Sequence, residues 1–336
     1  MRGRDRPDRS PDEPGHRRDG SRARVPGRLT AVLGAVEGFL IVGVVIGIGY
    51  ALGGSRIVGE HGSEVLAKIT FNVSTPALFF VLVAGSEPAD IFSTVGYVTV
   101  LYVVGGGLLF LLVHRLFVRV RSAELPLVVQ GAVFANAGNI GIPLSLATVG
   151  DLSYTTVLLL VQAFILTPVG LISLDLTAAR LVRRPSDALK LAINPVLLGA
   201  FAGMLVLVTG VELPHLVLEP IDLVAATSVP LTLLLFGMSF RGKGRSKSQD
   251  SRAAGLVVVW KCFVMPALAV ALGLAFGLRG ADLFGVVVLA ALPSAQNLFV
   301  LAMQYRTAIT LTHSFILVST LVSVPVVLVL AALVPH

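Results

Sequence analysis

The chain has 336 residues, of which 55% are hydrophobic and 13% charged. Soluble domains carry about 25% charged residues, and a mean hydropathy of +0.88 is more apolar surface than one or two water-soluble cores can hide. An ordinary soluble enzyme, a secreted disulfide scaffold and a disordered chain are excluded, the bilayer is the solvent to reason with, and the net charge of +7 matters by its distribution over the loops.

Residues 1–28 hold nine Arg and five acids with almost nothing apolar. Such a segment cannot offset its ordering entropy by burial and reads as a disordered tail. The apolar run behind it is too long for a signal-peptide core. From Leu29 the chain alternates long apolar runs with short polar breaks. A spanning helix needs about 20 apolar residues, and ten runs qualify: 29–52, 63–84, 94–114, 125–149, 153–175, 191–210, 219–239, 253–277, 283–304 and 309–334. The runs lack the period-2 alternation of a barrel, so the expected fold is an all-α membrane protein.

If the first span starts outside, the inner loops hold 14 basic residues and the outer loops only Arg279. That asymmetry puts both termini outside the cytoplasm of a multi-pass inner or plasma membrane protein. The Arg-rich tail opposes it: either the loop charges outweigh the tail, or translation starts downstream, for instance at Val25. The inner break 179–190 divides the spans five and five, into halves 29–178 and 191–336. An odd number per half makes the second half inverted relative to the first.

The halves echo each other. The second span carries Ser74-Thr75-Pro76 and the seventh Ser228-Val229-Pro230; the fourth carries Asn136, Asn139 and Pro143 mid-span, and the ninth Pro293, Gln296 and Asn297. Proline removes an N–H and clashes with the preceding turn. In lipid the freed backbone groups must find partners inside protein or beside water. Inverted repeats with helices broken at equivalent places are a pattern of secondary transporters. If the two broken spans cross, bare N–H groups at half-helix ends offer an anion site. The plain alternative is two kinked helices whose Asn residues glue neighbours together.

The stretches 71–84, 139–144, 228–239 and 292–305, with Thr320, Ser323 and Pro325 of the tenth span, resemble the auxin efflux carrier family over residues 30–335. The resemblance implies ten helices as two inverted five-helix repeats, with helices 4 and 9 broken and crossing. It implies a scaffold of helices 1, 2, 6 and 7, a transport unit of helices 3–5 and 8–10, and elevator-type alternating access. It carries Asn136, Asn139, Pro143, Pro293, Gln296 and Asn297 over as substrate positions, with Asn72 and Ser74 beside them. The long central loop of plant auxin exporters is absent, and 86–92 does not match their aspartate-rich stretch. A bacterial-type carrier of small carboxylates fits better than an auxin exporter.

Charges at bilayer depth ask for a reason. Glu37 in the first span and Lys261 in the eighth are candidates for proton or charge coupling, against a carboxyl near outer water and a snorkelling lysine. Lys68 is expected to snorkel, Asp175 to be wet, His313 to be a packing donor, and Gln130 and Gln162 to be interhelical glue. Gly199 and Gly203 form a small-residue face on a scaffold helix, suited to internal packing or a homodimer. Cys262 cannot form an intramolecular disulfide, and no metal cluster, cofactor motif, nucleotide loop or catalytic triad appears. The expected function is efflux or facilitated transport of small organic anions, with H+ or Na+ coupling left open. The rivals are a sodium-coupled importer of the same fold and a non-transporting membrane sensor or assembly partner.

Overall fold

A computed structural model describes residues 28–55, 57–59, 61–86, 93–118, 120–142, 144–145, 149, 151–179, 194–241 and 248–333. The tail through residue 27, most of the hinge 179–190 and Pro143 lie outside the described residues. Among the described residues the fold is all-helical. The elements are α1 Arg28–Gly53, α2 Gly62–Ala84, α3 Thr94–Phe117, α4 Leu125–Val133, α5 over 153–179, α6 Pro195–Thr209, α7 His215–Ser239, α8 over 248–275, α9 Gly280–Ala290, α10 Asn297–Gln304 and α11 Ile309–Leu333. Six helices are long and apolar enough to cross a membrane: α2, α3, α5, α7, α8 and α11. Apolar side chains stay exposed along whole helix faces, such as Leu112 and Leu116 of α3 and Phe201, Leu205 and Val208 of α6, each more than 60% exposed. Faces of that size belong against lipid or another apolar surface.

Several boundaries differ from those expected. α6 begins at Pro195 because Asn194 caps it, its side chain accepting from the Val196 N–H at 3.0 Å. Proline at the first turn loses no hydrogen bond. α7 starts at His215, earlier than expected, since Pro214 directly precedes it. The fourth and ninth spans are interrupted: α4 ends at Val133, and α9 and α10 are separated by residues 291–296.

Among the described residues there are four short π-helical turns, at Thr70–Ser74, Ala137–Gly141, Gln162–Leu166 and Trp260–Val264. Each ends two residues before a proline, namely Pro76, Pro143, Pro168 and Pro266. The proline ring cannot coexist with a normal turn, because it crowds the carbonyl four residues back and supplies no N–H. Widening the turn by one residue relieves the crowding and keeps the helix continuous through α2, α5 and α8. These turns hold Asn72, Asn139, Gln162 and Lys261, the polar or charged residues that the surrounding apolar sequence singles out.

Two packing groups result. α1 lies along α7 and α2 along α6, in the most extensive helix pairings of the molecule. Both pairs depend on glycine. A Cβ on Gly237 would overlap the Ile46 carbonyl and one on Gly49 the Leu234 carbonyl; Gly199 and Gly203 sit likewise against Pro76 and Phe80. The small-residue face on α6 therefore packs internally. Small residues allow such backbone approach, which drives helix association in lipid. The second group comprises α3, α4, α5, α8, α9 and α11, around a large apolar core that includes Tyr102, Phe110, Leu158, Phe284 and Phe315.

Candidate functional site

The two interrupted spans meet where they break. The Asn136 N–H donates to the Pro293 carbonyl at 2.9 Å, and the Ala295 N–H donates to the Phe134 carbonyl at 3.1 Å. Ala135 and Ser294 thus form a short antiparallel bridge between two helix breaks. Backbone groups released by the breaks satisfy each other, which is the condition for non-helical chain at membrane depth. Side chains complete the brace. Ser294 Oγ donates to the Gly131 carbonyl at 2.7 Å, Gln162 Nε2 to the Ala135 carbonyl at 2.9 Å, and Ser319 Oγ accepts from the Ser294 N–H at 3.2 Å.

A cavity of about 120 Å³ lies against this crossing. One wall is apolar and comes from the glycine-packed group: Leu78, Phe79 and Leu82 of α2 with Val229 of α7. The other wall is the crossing itself, with Asn136, Gly138, Asn139, Gln162, Ala295 and Asn297. Asn139 Nδ2 donates to Gln296 Oε1 at 3.2 Å. Asn136 Nδ2 and Gln296 Nε2 are buried donors without a hydrogen-bond partner among the described residues. Gly138 faces open space in the first residues of its π turn, where N–H groups have no partner earlier in the same element. Among the described residues no ionised side chain lines the cavity.

The expected site residues separate into three sets. Asn136, Asn139 and Asn297 line the cavity; Pro293 and Gln296 brace it by hydrogen bonds; Pro143 is outside the described residues. Ser74 is buried and shares a 2.7 Å hydrogen bond with Thr227, while Thr75 meets Ser228 at 3.3 Å. These contacts join the two Ser/Thr–Pro breaks of α2 and α7 rather than the cavity. Asn72 is exposed and donates to the Lys68 carbonyl of its own helix at 2.7 Å.

Lys261 does not snorkel: it is completely buried, and Nζ donates to the Ala290 carbonyl at 2.8 Å, at the last residue of α9 before the break. Glu37 is exposed on α1. Lys68 is exposed and pairs with Glu64 at 3.2 Å, which Arg306 also reaches at 2.8 Å. Asp175 is half-buried rather than wet and accepts from Tyr305 OH at 2.7 Å. His313 packs among Phe236, Phe240 and Phe299. Gln130 donates to the Leu166 carbonyl and joins α4 to α5, as interhelical glue does. Gln162 does more than that, since it also lines the cavity; its place six residues before Pro168 is the sequence signal that could have found it.

Residues 35–331 match the family described as Membrane transport protein, the auxin efflux carrier family. The chain is also 28% identical over 297 residues to a protein of Rhizobium meliloti (strain 1021) named "Putative malonate transporter", an alignment covering 81% of this chain and 88% of that protein.

Proposed function

Since the chain belongs to the membrane transport protein family, we propose that this multi-pass membrane transporter is a secondary carrier of small organic anions, carboxylates in the first place. The observation that carries this is the crossing: amide donors and half-helix ends face a small cavity that holds no ionised side chain. At roughly 10–15 Å³ of such volume per water, the cavity has room for several waters, and so for a carboxylate of few heavy atoms. The name of the Rhizobium relative points to the same chemistry.

In this proposal the ten spans are two inverted five-helix repeats, 29–178 and 191–336, joined by the hinge 179–190. Asn136, Asn139, Gln162 and Asn297 bind the carboxylate, with Gln296 and Pro293 holding them in place. The group of α3, α4, α5, α8, α9 to α11 moves past the glycine-packed group in an elevator cycle, and the apolar wall from α2 and α7 is the surface along which it slides. Lys261 travels with the moving group as a buried charge, and Glu37 stays on the static one. The exposed apolar face of α6 is where a homodimer would form. The basic loops face the cytoplasm. An inside-negative potential then drives an anion outward, by about 2.3 kcal/mol per charge per 100 mV, and efflux needs no coupling ion.

The test is malonate flux into and out of proteoliposomes holding purified protein. Replacing Asn139 and Asn297 together by alanine removes two polar groups from the cavity and is expected to lower flux at least tenfold, as losing hydrogen bonds to a charged ligand should. Unchanged flux in the double variant would overturn the assignment of the site.

A further inference from the structure

A second cavity, of about 450 Å³, opens where α1 and α7 end. It is lined by Ser55, Ser63, Ser239 and Arg241, with Met238 and Phe299 among its apolar residues. Arg241 follows the end of α7, and its guanidinium lies over the ring of Tyr50, with Cζ 4.4 Å from the ring centre. A planar cation on an aromatic face is held in orientation without surrendering its N–H donors. Room for it comes from Gly54, where any Cβ would overlap the guanidinium. Among the described residues Arg241 has no carboxylate partner. The acid nearest in sequence to Ser63 is Glu64, which is engaged by Lys68 and Arg306.

The stretches bordering this cavity are basic in sequence. Residues 55–63 and 241–252 contain six Lys or Arg against Glu60 and Asp250. A cationic side chain in a concave site, here Arg241, concentrates anions there. The cavity also leads toward the crossing. Phe299 lines it and lies on α10, whose first residue, Asn297, lines the crossing cavity. Phe299 belongs to an aromatic cluster with Phe236, Phe240 and His313, and Phe236 and Phe299 are centred 5.8 Å apart.

We propose that Arg241, with the Ser63 hydroxyl, forms a second, weaker site for carboxylates, a vestibule that captures the anion before it reaches the crossing; the Ser55 and Ser239 hydroxyls only border it, since they donate to the Leu52 and Phe236 carbonyls. This rests on the proposal that the chain carries carboxylates, and it adds a charged site at which the free anion is first captured. The crossing has no cation and can release its ligand; the vestibule supplies the charge that draws the ligand in. The paired N–H groups of a guanidinium match the two oxygens of a carboxylate.

The experiment measures malonate binding by calorimetry and malonate initial rates in proteoliposomes, for wild type, Arg241→Ala, Arg241→Lys, Gly54→Ala and Asn139→Ala. Wild type is expected to show two binding steps, and Arg241→Ala only the tighter one. From the side that bears Arg241, Arg241→Ala should raise KM about tenfold, the size of one lost charge-assisted hydrogen bond, with the maximal rate unchanged. Arg241→Lys should recover part of the KM. Gly54→Ala should reproduce the defect in milder form, because it dislodges a side chain and no backbone. Asn139→Ala should lose the tight step and keep the weak one. A KM unchanged in Arg241→Ala, or one raised equally from both sides, would overturn the vestibule. Absence of any malonate binding to wild type would instead overturn the carboxylate assignment itself.

Discussion

The pairing of α1 with α7 and the crossing of α4 with α9 and α10 both join the two halves of the chain, by opposite means. In the first, helices approach through glycine until backbone touches backbone, as Gly237 does against Ile46 and Gly49 against Leu234. No polar side chain is required, and the helices satisfy their own hydrogen bonds. In the second, the helices stop, and the freed N–H and C=O groups pair across the break through Asn136, Pro293, Phe134 and Ala295. The first contact is dense and committed. The second leaves donors over, on Asn136 and Gln296.

This difference can be broken from either side. The largest stability effect is expected from Gly237→Val. Its side chain meets a backbone carbonyl that cannot step aside, and overpacking of this kind costs about 1–3 kcal/mol or more. Thermal unfolding in detergent should show a clearly lower midpoint, with flux falling only in step with the folded fraction. Flux lost from a protein of normal stability would mean that the α1–α7 pair does more than pack. Next comes Ser294→Ala, which strands the Gly131 carbonyl in a dry site. Loss of about 1–2 kcal/mol is expected, together with weaker malonate binding, because the bridge at Ala135 loses its brace. The smallest stability effect belongs to Gly138→Ala. No atom lies within 4 Å of the added methyl, so the unfolding midpoint should not move. The methyl enters the crossing cavity, however, and should raise KM several-fold; a lower midpoint without a change in KM would place Gly138 outside the binding surface.

Much of the crossing could be foreseen from local chemistry. Asn136, Asn139 and Pro143 in one apolar run, with Pro293, Gln296 and Asn297 in another, point to broken or kinked helices, because proline removes a backbone donor that lipid cannot replace. The direction of a side chain could not be foreseen in the same way. Asn72 and Asn139 occupy equivalent places in π turns before proline, yet Asn72 turns back to the Lys68 carbonyl while Asn139 faces Gln296 and the cavity. A π turn adds one residue and so rotates everything after it about the helix axis, which a fixed 3.6-residue period does not register. Lys261 shows the same limit. A lysine in an apolar run is expected to snorkel, but the free carbonyl at the end of α9 offers it an acceptor inside.

Composition and hydropathy by themselves pointed to an all-helical membrane protein and to the residues that interrupt its helices, because the cost of an unpaired backbone group in lipid is local and leaves few choices. Only the tertiary structure decided which interruptions meet. The partners that close the crossing, and those that join Ser74 to Thr227, lie more than 150 residues apart. Their pairing depends on how glycine-lined and proline-broken helices pack together, and no short-range pattern carries that information.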